Sequence, residues 1–457
     1  MSARVRAAGG LARFAGTLAR GTGRGGGTTM PGHVFLRIAP NGLARLAADL
    51  RDGVIAVSAT NGKTTTSAML SHILAPDHVV CRNAAGANLL SGIASSLVDR
   101  PRGADIGVLE VDEAALSAVV AQTTPRALVL GNLFRDQLDR HGELELVADR
   151  WRAMVAGLPS DTQLVLGADD PVIDALGDGR ANVLRFGIDD PGAGLALRDE
   201  AADSTFCVRC GAAYVYDVTY LGHLGAFRCP QGDHARGTLD VVARDVRPQG
   251  LQGTVFRVDA PDGSCEVTLP LPGLYNVENA LGAIAAAHAI GTPTATAAAR
   301  LASFVAAFGR FERIPIEGRE AVLILFKNPA GANEALRAIS ADVAGAEVVL
   351  ALNDGIADGR DVSWIWDVDF EGMLDGAIGV TCAGTRAADL AVRLRYADVP
   401  IDLINRVTDP ETAFDAAVHA VPSGGRVYIL ATYTAMLDLH RALAARGLTE
   451  PFWEGSR

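Results

Sequence analysis

One stretch constrains this chain more than any other: Val54-Ile55-Ala56-Val57-Ser58-Ala59-Thr60-Asn61-Gly62-Lys63-Thr64-Thr65-Thr66. An apolar, β-branched run ends in a small-residue turn, and Ser67-Ala68-Met69-Leu70 continues as a helix. Strand, loop and helix in that order let backbone N–H groups and a helix N-terminus converge on an anion. Lys63 then reaches the outer phosphates of a nucleotide, and the Thr64 hydroxyl ligates Mg²⁺. Thr60, Asn61, Gly62 and Thr65 complete the predicted cradle. The general P-loop pattern is only partly met, because Val57 occupies its first glycine position. Against the shorter form Gly-Thr-Asn-Gly-Lys-Thr, Ala59 replaces the leading glycine. The plain alternative is a strand-to-helix turn with a solvated lysine.

Composition points the same way. Of the 41 basic residues only Lys63 and Lys327 are lysines. A compact ammonium and a planar guanidinium are not interchangeable at a phosphate, so both lysines are assigned to nucleotide binding. A net charge of −12 argues against nucleic acid as a partner. The 457 residues leave room for about two to four domains. Six cysteines in such a length do not make a secreted disulfide scaffold. No apolar run is long enough to span a bilayer, and the expected location is cytoplasmic. The first 30 residues are small and basic, with Arg4, Arg6, Arg13, Arg20 and Arg24, and lack the apolar core of a secretory signal. An amphipathic helix over residues 5–18 either touches an anionic membrane surface or packs on its own domain.

A short helix over residues 43–50 leads into the strand at Val54, and strands and helices then alternate. Strands are expected to end near Val80 and to cover residues 106–111, 127–130 and 164–166, with a helix over 144–158. Apolar strands between helices mean a parallel sheet covered on both faces, whose ligands sit at the carboxyl ends of the strands. Glu110, Asp112 and Glu113 end the third strand; Asn132, Arg135, Asp136 and Asp139 follow the fourth; Asp169-Asp170-Pro171 follows the fifth. Glu110 is the predicted Mg²⁺ ligand. Asp136 and Asp139 either join the site or cap a helix.

Residues 204–236 differ in kind. Cys207-Val208-Arg209-Cys210 begins a knuckle, and Cys229 lies nineteen residues beyond Cys210. Two such knuckles make a zinc ribbon, but a fourth cysteine at the position of Gly232 is absent. Asp233, His234 or His223 remains to supply the fourth ligand, and the alternative is a ribbon that has lost its metal. Residues 238–270 read as antiparallel strands. The motif of residues 273–279 enters a helix that continues to Ala289. Asn276 and Asn279, one turn apart, either read a base edge or, for Asn276, cap the helix. A second helix is expected over residues 295–308, closed by Gly309. The division expected is a basic segment (1–45), a central domain (46–312, with the ribbon at 204–236) and a second α/β domain (313–457). In the last, strands are expected over 321–325, 348–352, 377–380 and 427–430. Polar clusters follow two of them, residues 327–333 and 353–361.

Thr60 to Thr64, Glu110, Asn132 with Asp136 and Asp139, Asp169-Asp170-Pro171 and residues 273–279 follow in the order seen in the Mur ligases. The chain resembles that family of ATP-dependent ligases of peptidoglycan synthesis. Asn132-Leu133-Phe134-Arg135-Asp136-Gln137-Leu138-Asp139, the cysteine insertion and residues 327–331 and 358–364 narrow the resemblance. It is to the MurT family, the synthetase subunits of lipid II isoglutaminyl synthase, and it covers nearly everything from about residue 25.

The resemblance implies a central parallel-sheet ATPase domain with a zinc-ribbon-like insertion, plus a smaller C-terminal α/β domain. It implies ATP, Mg²⁺ and Zn²⁺, lipid II as substrate and a GatD-type glutaminase as partner subunit; peripheral contact with the inner face of the membrane is expected only from the basic stretch of residues 5–18. ATP would phosphorylate the α-carboxyl of the D-glutamate in the stem peptide, and ammonia from the glutaminase would displace phosphate. By position, Lys63 and Thr64 bind phosphate and Mg²⁺, Glu110 holds metal, and Asn276 and Asn279 lie near the nucleotide. Asp361 matches an aspartate that completes a Cys-His-Asp triad with the partner's residues, orienting its histidine.

Three features favour ammonia over an amino acid as nucleophile. Only about 50 residues precede the P-loop strand, which suits a lipid-linked rather than a UDP-linked substrate. No lysine follows Asp139 where amino-acid-adding relatives carry a carbamylated one, and Gln137 stands where they have a metal-binding histidine. The competing readings are a stand-alone Mur or folylpolyglutamate-type amino-acid ligase, and a nucleotide-binding scaffold without turnover, which Ala59 alone favours.

Overall fold

The computed structural model describes residues 3–21, 29–83, 86–135, 144–195, 203–305, 310–340 and 342–449. Its first sheet has nine strands. Seven run parallel: β1 (Val54–Ser58), β2 (Val80–Arg82), β3 (Ile106–Glu110), β4 (Ala127–Leu130), β5 (Gln163–Gly167), β6 (Val183–Ile188) and β9 (Val241–Pro248). The last two, β10 (Thr254–Ala260) and β11 (Gly263–Leu269), extend it antiparallel. The order β11-β10-β9-β6-β5-β4-β1-β3-β2 puts the P-loop strand in the interior. All residues of β1, β3 and β4 are buried, which explains their unbroken apolar sequence.

Side chains of β1 divide between two cores, as the two-residue period of a strand requires. Ile55 and Val57 pack with Met69 and Leu70 of the helix Lys63–Leu74 and with the helix Leu274–Ala289. Val54 and Ala56 pack on the other face with Leu43, Leu97 and Trp151. The second half of the helix Leu274–Ala289 is rich in alanine and glycine because it lies between the sheet and its neighbours. A methyl at Gly282 would stand 3.2 Å from Phe186 and 3.4 Å from Thr66.

The basic N-terminal residues do not stand apart. The helix Ala3–Gly21 contributes Val5, Ala8 and Ala12, and the helix Met30–Ile38 contributes Phe35, to the core under the sheet.

The second sheet has the order β12-β13-β17-β14-β15-β16. Its strands are β12 (Arg310–Ile316), β13 (Arg319–Leu325), β14 (Glu347–Ala351), β15 (Gly379–Ala383), β16 (Ile404–Arg406) and β17 (Arg426–Ala431). All pairs are parallel except β12 with β13. The alternation read from the C-terminal third is therefore present. The edge strands β12 and β16 escaped it because their polar residues break the apolar signal: Arg313 lies in one, Asn405 and Arg406 in the other. The helix expected over 295–308 is Thr294–Leu301. Residues 306–309, and Asp136, Gln137 and Asp139 with them, lie outside the described residues.

Residues 204–236 form a hairpin of β7 (Val215–Leu221) and β8 (Leu224–Arg228) beside the first sheet. Cys207, Tyr214, Phe227 and Cys229 make a small core of their own there.

Candidate active site at the P-loop

The loop after β1 is held by its neighbours before any ligand is considered. The Asn61 amide donates to Asn132 Oδ1 (2.9 Å), and Asn132 Nδ2 returns a bond to the Asn61 carbonyl (3.0 Å). The Thr60 amide donates to the Asn132 carbonyl (2.9 Å), and the Phe134 amide to Thr60 Oγ1 (3.1 Å). Gly62 has φ +89°, and a methyl there would lie 1.8 Å from Asn279 Oδ1. Glycine is thus required twice, for backbone conformation and for the close approach of the second helix. The loop ends at the N-terminus of the helix Lys63–Leu74, the kind of helix end that can cradle an anion.

Lys63 is buried. Its ammonium donates to the Ala59 carbonyl at 3.0 Å and to Glu113 Oε2 at 3.1 Å. Burial disfavours the ionised Glu113, but the charges of Lys63 and then Lys327 outweigh it and hold the carboxyl below its usual range. Both lysines of the chain therefore act on one buried carboxylate. Sequence reasoning noted Glu113 only as part of a strand end and placed the metal on Glu110. Glu110 is buried alongside, with Oε1 accepting from Asn88 Nδ2 at 3.2 Å. The signal that points to Glu113 is the pair of lysines itself. The Trp151 indole N–H fixes the Glu113 carbonyl at 3.1 Å.

Ala59 replaces a glycine without crowding the cradle. A methyl built on Gly131 would stand 3.0 Å from the Ala59 Cβ, so that methyl occupies the space left by the glycine opposite.

Asn276 does not cap its helix, whose N-cap is Gly273. Its Nδ2 donates to the Pro272 carbonyl (2.7 Å), while its Oδ1 accepts from Asn279 Nδ2 (3.2 Å). Asn279 Oδ1 in turn accepts from Thr66 Oγ1 (3.3 Å) beside Gly62. Thr65 is buried and Thr64 half-buried on the first turn of the helix.

A cleft of about 800 Å³ opens between the two sheets, lined by Asn61, Gly62, Asn132, Asn279 and Lys327 and by aromatic walls. Tyr275 and Phe311 stack there with centroids 6.4 Å apart at 29°. Phe311 has φ +62° at the irregularity where β12 pairs with β13, a conformation costing about 1–2 kcal/mol in a non-glycine residue. Asn328 Nδ2, from the second sheet, donates to Asn61 Oδ1 at 3.0 Å. This bond ties the C-terminal sheet directly to the P-loop.

Beneath the loop, Glu278 lines a smaller cavity with Val57, Ala59 and Gly131. Burial first, then the neighbouring Asp169, pushes its carboxyl well above the ordinary range. Asp169 is already engaged by Arg236 (2.6 Å) and the Ile188 amide (2.8 Å).

A match to the Mur ligase middle domain covers residues 57–223, and a match to the MurT ligase C-terminal domain covers residues 325–436. The lipid II isoglutaminyl synthase subunit MurT of Streptococcus pneumoniae is 32% identical over 428 residues, 92% of this chain and 93% of that protein. The chain belongs to the MurT family. The MurT subunit of Staphylococcus aureus is 30% identical over 400 residues, 86% of this chain and 88% of that protein. Among solved structures, a pseudomurein peptide ligase type C from Methanothermus fervidus has a TM-score of 0.69 at 21% identity, covering 88% of this chain and 80% of its own. The MurF ligase of Thermotoga maritima, solved with ADP, has 0.65 at 17%, covering 92% and 84%. The Mur ligase fold read from the sequence is thus present. Membership makes the chain an ATP-dependent ligase and implies ATP with Mg²⁺. The helix N-terminus after Gly62, the buried ammonium of Lys63 and the buried carboxylates beside it fit those groups.

The cysteine-bearing hairpin fits a zinc ion less well. The sulfur atoms of Cys207, Cys210 and Cys229 lie within 4.8 Å of one another. His234 is committed elsewhere: Nδ1 to Tyr214 Oη (2.6 Å), Nε2 to Asp174 (3.3 Å). His223 bonds Asp170 at 3.3 Å, away from the thiols. Asp233 is the remaining candidate, and its side chain bonds Cys210. The two turns close differently. In the first, Gly211 (φ +75°) donates its amide to the Cys207 carbonyl, four residues back. In the second, Gly232 (φ +80°) donates to the Cys229 carbonyl, three residues back. Gly232 stands three residues after Cys229, where a fourth cysteine was expected, in a left-handed conformation that favours glycine, and it offers no thiol.

Asp361 lies outside the cleft lining, on an exposed loop. Its Oδ1 accepts from the Ser363 amide at 2.9 Å, and the Ser363 hydroxyl and amide hold its carboxyl below the usual range. Asp358, three residues earlier, is buried and accepts from the Thr434 amide at 2.8 Å. Tyr433 is close enough to Asp358 and Glu110 to feel both charges. Asp358, Tyr433 and Asn328 were not singled out from the sequence.

Proposed function

We propose that this chain is the synthetase subunit that amidates the α-carboxyl of D-glutamate in the lipid II stem peptide. The observation that carries the reading is the convergence of Lys63, Lys327 and Glu113 on a P-loop that Asn328 closes from the other sheet. The names of the relatives, lipid II isoglutaminyl synthase subunits, supply the acceptor.

In this reading the P-loop amides and Lys63 hold the β- and γ-phosphates, and Asn276 and Asn279 adjoin the base. Thr64 and Glu110 are the residues to hold Mg²⁺, which when bound neutralises charge on the transferring phosphoryl group. The substrate carboxylate attacks the γ-phosphorus, ADP leaves, and ammonia displaces phosphate from the acyl phosphate. Lys327 offsets negative charge across the cleft. A zinc ion in the ribbon would be structural, held by Cys207, Cys210 and Cys229 with Asp233 nearest the open position.

The relatives are named as subunits, and a GatD-type glutaminase supplies ammonia in this reading. Asp361, ionised and exposed, orients the partner's catalytic histidine. Ile356, Trp366 and Tyr396 are exposed on the loop or the neighbouring helix, and Trp366 packs edge-on against Tyr396, which suits a protein-covered surface.

The test is amidation of lipid II followed by mass, with ATP and either ammonium, or glutamine plus the glutaminase. Lys63→Ala abolishes product with both donors. Asp361→Ala loses glutamine-driven amidation at least tenfold more than ammonium-driven amidation. Equal losses remove the triad role, and no amidation by the wild-type complex removes the function.

A further inference from the structure

The helix Ala3–Gly21 has three faces. Val5, Ala8 and Ala12 face the core and are buried. Ala7, Leu11, Phe14 and Leu18 follow the spacing i, i+4, i+7, i+11 and so form one line along the helix. That line faces outward: Leu11, Phe14 and Leu18 are 55%, 64% and 53% exposed. Arg6 and Arg13 are seven apart and share a third line. Arg13 is tethered by the Val98 carbonyl (2.7 Å from Nη2), yet its side chain remains 64% exposed.

A helix needs one apolar face to pack on its domain, and this one already has it. A second apolar line, left in water, has no role in that packing. The charge of its own segment is equally one-sided, with Asp99 of the neighbouring helix end 3.9 Å from Arg13 Nε as the counter-charge. Residues 1–48 carry seven arginines (Arg4, Arg6, Arg13, Arg20, Arg24, Arg37 and Arg45) and no aspartate or glutamate, in a chain of net charge −12. An exposed Leu/Phe/Leu line beside a ridge of arginines matches a surface that is apolar beneath and anionic above.

We propose that the outer face of the helix Ala3–Gly21 docks the enzyme on an anionic lipid bilayer, with Leu11, Phe14 and Leu18 entering the interface and the arginines meeting the headgroups. The helix lies in the plane of the surface. Among the described residues no helix is long and apolar enough to cross a membrane. Apolar insertion and basic attraction are each weak alone, and reversible docking follows from having both. The proposal is independent of the catalytic reading, since it concerns lipid without substrate.

The test is sedimentation of the full chain, complexed with its glutaminase, on vesicles free of lipid II. Phosphatidylglycerol vesicles carry the wild-type complex down and phosphatidylcholine vesicles do not, and 0.5 M salt releases it. The triple variant L11S/F14S/L18S changes only exposed positions and binds at least tenfold more weakly, with unchanged melting temperature. Phe14→Trp keeps the apolar line and shows a blue-shifted emission on phosphatidylglycerol vesicles only. A wild-type complex that stays in solution, or a triple variant that binds equally well, overturns the proposal. So does a triple variant that loses the glutaminase instead of the vesicles, which would give this face to the partner.

Discussion

Two motifs of this chain depart from their family pattern by one residue, and the structure treats them oppositely. In the P-loop, Ala59 adds a methyl, and Gly131 on the adjacent strand end leaves room for it. In the ribbon, Gly232 stands where a fourth cysteine was expected, and among the described residues three cysteines rather than four converge. A substitution inside a packed sheet is answered by the facing strand, so backbone and cradle are kept. A substitution in a turn has no facing partner to answer it and removes a ligand outright. A motif departure must therefore be judged by what stands opposite it.

The largest expected effect comes from exceeding what the loop accommodates. Gly62→Ala places a methyl against Asn279 at positive φ and lowers ATP affinity at least about 100-fold, measured by calorimetric titration. Next is the ribbon. A cysteine inserted between Gln231 and Gly232 tightens zinc binding at least about tenfold, read by metal analysis after chelator competition. Gly232→Cys gains less, because it forces a side chain into φ +80° and leaves no glycine after the knuckle. Equal zinc content in both variants would break this backbone argument.

A moderate effect tests the Ala59–Gly131 pairing. Gly131→Ala destabilises by about 1–3 kcal/mol through overpacking, and adding Ala59→Gly recovers at least half of it in denaturant melts. Ala59→Gly alone changes ATP affinity less than about threefold, since the methyl faces Gly131. The smallest effect concerns Glu278 under the same loop. Its folded-state carboxyl keeps its proton above the ordinary range, whereas the unfolded chain releases it near pH 4.3. The unfolded state then binds fewer protons, so stability falls as pH rises past that value. Glu278→Gln removes this slope and raises the melting temperature at pH 8 by about 2–4 °C, with less change at pH 5.

The interior of both sheets was legible in the sequence because fully buried parallel strands are unbroken apolar runs. The P-loop was legible because phosphate chemistry demands its residues in order. The edge strands β12 and β16 were not, since one exposed side removes the apolar signal. Glu113, Asn328 and Tyr433 escaped for a different reason. Each acts across a long sequence separation: Lys63 to Glu113, Asn61 to Asn328, Glu110 to Tyr433. No local period encodes such pairs. The ribbon's fourth ligand was not legible, because the spacing from Cys229 ends on Gly232 and the commitments of His234 and His223 to Asp174 and Asp170 lie across long sequence separations.

The single bond from Asn328 to Asn61 also sets an order of events. A nucleotide that lies between the sheets enters and leaves only while they are apart, and the phosphate loop is complete only when they meet. Each turnover must then include an opening stroke in which that amide pair separates. The pace of the enzyme is thereby tied to a door as well as to a bond, and the door's latch is two asparagines 267 positions apart in the chain.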